Sequence, residues 1–134
     1  MRAFQEAVER GEFETIGNLL AEDIVFRSPV AFKPYHGRAM VAAILRGVNR
    51  AFTEFRYSDV IGAPDARTQA LVFETMVGDV SLNGCDFITT NEDGLISEFT
   101  VMVRPLSASQ ALAAAMAAQF DQIAAEATAE LTGK

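Results

Sequence analysis

The chain has 134 residues, half of them hydrophobic, and a formal charge of −7. That length and apolar content suit one domain with a sizeable core. The acidic balance and the scatter of Lys and Arg argue against nucleic acid, whose binding depends on neutralised phosphates. The apolar stretches are short and broken by charges, so no membrane span is expected. The opening Met1-Arg2-Ala3-Phe4-Gln5-Glu6 carries acid early and lacks an apolar run, unlike a signal peptide. A single cysteine, Cys85, excludes an internal disulfide and fits a reducing cytoplasm.

Residues 2 to 10 read as a helix, with Phe4, Ala7 and Val8 at helical spacing, punctuated by Gly11. A second short helix is expected from about Glu12 to Leu20 on the stripe Phe13, Ile16, Leu19 and Leu20. Ile24 to Ser28 reads as a strand stopped by Pro29, because proline lacks the N–H a ladder needs. A loop from Pro29 to Gly37 leads into a third helix, about Arg38 to Phe52, with the stripe Val41, Ile44, Leu45, Val48 and Phe52.

Phe55 to Ile61 reads as a strand closed by Gly62-Ala63-Pro64-Asp65, and Gln69 to Val77 as another ended by Gly78-Asp79. Two runs rich in β-branched and aromatic residues then flank Asn91-Glu92-Asp93-Gly94, whose turn chemistry makes an antiparallel hairpin of Gly84 to Pro105. Alternation puts Phe99, Val101 and Val103 on one face and Glu98, Thr100, Met102 and Arg104 on the other. One final helix, from after Pro105 to about Glu130, carries the stripe Leu112, Met116, Phe120, Ile123, Ala127 and Leu131. The order predicts an α+β domain with helices on one side of a bent, mostly antiparallel sheet.

Asp86 is the anomaly. It sits in a strand that otherwise asks for burial, where an unpaired charge is costly. Either a partner satisfies it, with backbone, Tyr35 or His36 as candidates, or its pKa is shifted as in an acid or base. Cys85, next in the strand, faces away from Asp86 and lacks an activating base or positive field. His36 is the only histidine, with no neighbouring ligand spacing, so no metal site is expected. The aromatics Phe4, Phe26, Tyr35, Phe52, Phe55, Phe73, Phe87 and Phe99 suit ordinary core packing or the wall of an apolar pocket.

Four motifs together resemble the nuclear-transport-factor-2-like superfamily, in particular its SnoaL-like polyketide cyclases and ketosteroid isomerases. They are Gly11 to Ile16 with Leu19 to Phe26; Ser28-Pro29 with Tyr35-His36-Gly37; Gly84-Cys85-Asp86 to Gly94-Leu95-Ile96; and Val103-Arg104-Pro105. The resemblance implies a cone: a curved sheet wrapped around N-terminal helices, an apolar pocket at the open end, and a homodimer through the sheet's outer face. It places Ser28 where ketosteroid isomerases carry their carboxylate base, Phe4 where they carry a tyrosine, and Asp86 where they carry a protonated aspartate. A serine hydroxyl cannot take a carbon acid's proton unaided at neutral pH, which argues against ketosteroid isomerisation itself. The Asp-Arg-Asp set of the superfamily's epoxide hydrolases has no match beyond Asp86, since Arg27 and Arg104 read as outward.

The expected function is therefore acid/base chemistry centred on Asp86, without a cofactor, on a small apolar carbonyl-bearing or polycyclic molecule. Phe26, Ser28, Tyr35, His36, Phe52, Phe55, Phe73, Phe99 and Val101 are the expected ligand contacts. A non-catalytic binding protein or a dimeric scaffold of the same fold is the alternative.

Overall fold

The computed structural model describes residues 2–132. Helix α1 (Arg2–Glu9) and a single 3-10 turn (Ile16–Leu19) precede strand β1 (Leu20–Arg27). A two-residue strand β2 (Tyr35–His36), helix α2 (Arg38–Ala51) and the long strands β3 (Thr53–Ile61), β4 (Thr68–Val77), β5 (Val80–Thr90) and β6 (Ile96–Arg104) follow. Two helices, α3 (Leu106–Ala117) and α4 (Phe120–Leu131), end the described chain. The strands form one six-stranded sheet in the order β2-β1-β6-β5-β4-β3. Only β1 and β6 pair in parallel; the other neighbours are antiparallel. This open, curved, mixed sheet with four helices is the expected α+β cone.

Alternation drives the curvature. Along β4, Gln69, Leu71, Phe73, Thr75 and Val77 turn inward, and along β5 so do Leu82, Gly84, Asp86 and Ile88. Their apolar members pack against helices and cannot face water without losing roughly 25 cal/mol per Å². Register shifts within β1–β6, β3–β4 and β5–β6 bend the sheet over the helices. The first shift in β3 holds Glu54 at φ 53, a left-handed conformation that no other described non-glycine residue adopts.

Two packed groups result. The larger joins Phe4, Ile16, Leu20, Ile24 and Phe26 to the inner face of α2 and to Ile88, Ile96 and Phe99. The smaller holds Phe73, Val77, Leu82, Ala108 and Leu112 at the other end of the cone.

Three expectations are corrected. Glu12 to Leu20 is not a helix beyond the 3-10 turn, because Leu20 pairs with Ile96 and joins the sheet. Tyr35 and His36 leave the predicted loop as β2, opposite Phe26 and Val25. The final helix is two, broken at Ala118–Gln119, where Gln119 Nε2 donates to the Gly47 carbonyl of α2 (3.0 Å). Among the described residues, no helix is long and apolar enough to cross a membrane.

Candidate functional site

Asp86 projects from the middle of β5 into the concave side of the sheet. Its cross-strand neighbours on that face are Leu71 of β4 and Val101 of β6. Only 7% of the residue is exposed. Burial pushes its carboxyl pKa up to about 8, and no cation or hydrogen-bond donor among the described residues offsets that. The expected alternative, Asp86 tied to backbone, Tyr35 or His36, is absent among the described hydrogen bonds. A carboxyl so placed is neutral over most of the physiological range and loses its proton near pH 8.

Asp86 lines a cavity of about 90 Å³ whose other walls are almost wholly apolar. Phe4, Phe26 and Phe99 form one wall, with Phe99 5.3 Å from Phe4 and 5.5 Å from Phe26 between ring centres. Phe52, Phe55 and Phe73 stack as the other, Phe55 lying 5.0 Å from Phe73. The Phe73 ring lies across Gly84, where a Cβ would collide with it. A glycine two residues before Asp86 thus leaves room for the aromatic wall.

Two more polar side chains line the cavity, Asn49 of α2 and Tyr57 of β3. The Tyr57 ring meets Phe55 edge-on at 4.9 Å, and its hydroxyl is buried with no hydrogen-bond partner. Burial, then the charges of Asp86 and Glu9, raises its pKa far above the usual tyrosine range, so it stays a phenol. A buried hydroxyl without a partner is costly and uncommon. Here it shares an apolar cavity with the Asp86 carboxyl.

Of the expected contacts, Phe26, Phe52, Phe55, Phe73, Phe99 and Val101 line the Asp86 cavity. Ser28 and Tyr35 do not. They line a second cavity of about 210 Å³, between the 28–35 segment, α2 and the C-terminal helices. The reason is local: β1 ends at Arg27, so Ser28 leaves the alternation and its Oγ accepts from Val30 N–H (3.1 Å). His36 is exposed and borders a surface hollow with Glu22, Arg38 and Glu130. Phe87, counted among the pocket aromatics by composition, lies on the outer face and is 38% exposed. Cys85 does face away from Asp86, between Val72 and Met102, and burial followed by the Asp86 charge raises its thiol pKa. Among the described residues, no three His, Cys, Asp or Glu side chains gather as a metal site.

Sequence reasoning missed several cavity residues, among them Asn49, Tyr57 and Leu112. Tyr57 was legible: it follows Phe55 by two in a strand, so it shares Phe55's face.

The sequence model of the SnoaL-like domain family matches residues 1–99. Among solved structures, an uncharacterised bacterial protein of cystatin-like fold from Silicibacter pomeroyi DSS-3 is 42% identical to this chain. It superposes with a TM-score of 0.82 over 87% of this chain and 81% of its own. A steroid delta-isomerase from Pseudomonas aeruginosa is 37% identical, with a TM-score of 0.86 over 92% of this chain and 90% of its own. SalBIII, an epoxide hydrolase/cyclase-like enzyme of pyran ring formation in the polyether salinomycin, is 16% identical. Its TM-score of 0.63, over 80% of this chain and 88% of its own, is a likeness of fold alone. No curated protein matches the chain. The match over most of the sequence, with the cone that surrounds Asp86, makes this chain a member of the SnoaL-like domain family.

Proposed function

We propose that the Asp86 cavity takes a small, apolar, carbonyl-bearing molecule and that Asp86 moves a proton at the carbon beside the carbonyl. The observation that carries this reading is a lone carboxyl in an apolar cavity, its pKa pushed up to about 8 by burial alone. A carboxylate with that pKa is a far stronger base than an ordinary one, and roughly a tenth of it is ionised at pH 7. The Asp86 carboxylate accepts the α-proton while the carbonyl π electrons shift onto oxygen. The neutral Tyr57 hydroxyl donates a hydrogen bond to that enolate oxygen, and Asp86 then returns the proton to carbon. No cofactor is needed. The likeness to a steroid delta-isomerase supports a proton transfer of this class. Ser28, at the position where the resemblance expects a base, lies outside the cavity and takes no part.

The size of the cavity bears on the ligand. A cavity of roughly 150 Å³ holds benzene, and this one measures about 90 Å³. With every wall in place it fits a molecule of acetone's size rather than a polycycle. The assay is therefore exchange of acetone methyl protons in D2O, followed by proton NMR. The wild type is expected to accelerate exchange, with a rate that rises toward pH 8, and Asp86→Asn to lose about 100-fold or more. An equally active Asn variant would refute the reading. Acetone bound without exchange would instead favour a non-catalytic binding protein, the reading supported by Ser28 and Phe4 standing where a base and a tyrosine are expected.

We also infer a homodimer through the outer face of the sheet. Ile61, Val72, Cys85, Phe87 and Met102 share that face by register, and Met102 is 59% exposed. The polar row Arg56, Glu74, Asn83 and Arg104 borders them. An apolar centre with a charged rim is the anatomy of a subunit interface.

A further inference from the structure

The family match ends at residue 99, yet the wall of the Asp86 cavity continues past it, to Leu112 of α3. Helix α3 lies over β4, β5 and β6 and against α2. Its fully buried side chains are Ala108 and Leu112 alone, and most of its remaining residues are alanine or serine, which bury little apolar area.

Both ends of α3, by contrast, are fixed. At the start, only Pro105 separates it from β6. At the far end, Gln119 Nε2 donates to Gly47 O (3.0 Å), and Arg50 Nε donates to Gln119 Oε1 (2.7 Å). Beyond that joint, α4 is clamped to α2 by Arg46–Glu126 (2.9 Å), Arg50–Glu126 (3.1 Å) and Arg46–Glu130 (3.7 Å). Ile123 of α4 also fills the space over Gly47, where a Cβ would lie 2.8 Å from its Cδ1.

Between these anchors, α3 borders two pockets, with Met116 packed against both core groups. Leu112 faces the Asp86 cavity of about 90 Å³, while Ala113, Met116 and Ala117 face the second cavity of about 210 Å³.

We propose that α3 is a displaceable cover over the Asp86 cavity and that Leu112 is the stopper that sets the largest ligand it admits. This rests on the cavity being a ligand site, as proposed above. While Leu112 is seated, the cavity excludes an aromatic ring; when α3 shifts toward the second cavity, or Leu112 is shortened, a ring fits. Residues beyond the family match thus determine specificity in a cone whose proton-handling group the matched part supplies.

The experiment uses the full chain and two probes, toluene and acetophenone, with affinities measured by NMR titration. Leu112→Ala is expected to bind toluene about 10-fold or more tighter than the wild type, because the vacated volume accepts several ring carbons. Leu112→Val, a milder change that guards against an unfolded Ala variant, is expected to shift affinity the same way by less. Toluene affinity unchanged in the folded variants would overturn the proposal. Toluene carries no oxygen, so its gain stands even if acetophenone shows no advantage, in which case the carbonyl reading fails alone. In hydrogen exchange of the wild type, α3 amides are expected to exchange about 10-fold faster than those of α4. Equal protection of the two helices would also overturn the cover.

Discussion

Replacing Asp86 with Asn should change how stability depends on pH, by an amount fixed by the shift. In the unfolded chain the carboxyl releases its proton near its ordinary value of 3.8, and in the folded protein near 8. Between those values the folded state keeps a proton that the unfolded state has lost. Raising the pH therefore favours unfolding, by about 1.36 kcal/mol per pH unit. The stability is fully present below the unfolded value and is lost progressively as pH rises to the folded one. From pH 5 to pH 7 the wild type loses about 3 kcal/mol through this group. Asn cannot ionise, so the variant lacks that loss and differs otherwise by a constant offset. Glu126, held low by its hydrogen bond to Arg46, acts in the opposite sense but below this window, and it is common to both proteins. Urea unfolding of both at pH 5, 6 and 7 gives the difference directly. The expected result is Asp86→Asn gaining about 3 kcal/mol on the wild type across that range. Parallel curves would show that the folded carboxyl ionises normally, and the proton-transfer role would lose its basis.

Three further variants probe the same site and sheet. Tyr57→Phe removes a buried hydroxyl with no partner, so it should stabilise the fold by about 1 kcal/mol in urea unfolding. The same change should slow acetone exchange about 100-fold, as loss of an oxyanion donor does; unchanged exchange would remove Tyr57 from the mechanism. Gly84→Ala drives a Cβ into the Phe73 ring, which Phe52 and Phe55 hold in place. It should cost about 1–3 kcal/mol, and a neutral result in thermal melting would mean that the aromatic wall yields. Phe87→Glu puts charge into the outer apolar face and should convert the proposed dimer to monomer by light scattering. A wild type that is monomeric, or a variant that stays dimeric, would refute that interface.

Much of this protein was legible because local pattern and tertiary demand agree. The stripe Val41, Ile44, Leu45 and Val48 named α2, and the alternation Phe99, Val101, Val103 gave the inward face of β6. Asp86 stood out by breaking that pattern. Failure came where a distant partner overrode local preference. Leu20-Ala21-Glu22-Asp23 are not strong strand formers, yet Leu20 pairs with Ile96 far along the chain. The break between α3 and α4 carries no glycine or proline, because Gln119 makes it by bonding to α2. Ser28 was placed in the site by the resemblance, but the strand ends one residue too early. Tyr57 and Phe87 show the limit of counting aromatics: which face a ring takes decides its role, and only register fixes the face.

The parallel pairing of β1 with β6 has a consequence for how the protein is made. β3 to β6 form a meander in which each strand meets the next in sequence, so that half can assemble as it emerges. β1 leaves the ribosome early but meets its principal partner only when residues 96–100 have been synthesised. Until then Ile24 and Phe26 have only the two residues of β2 as a neighbouring strand. Fragments ending before residue 96 should therefore expose a sticky N-terminal strand, and the interval before β6 emerges is when the nascent chain most needs protection from aggregation.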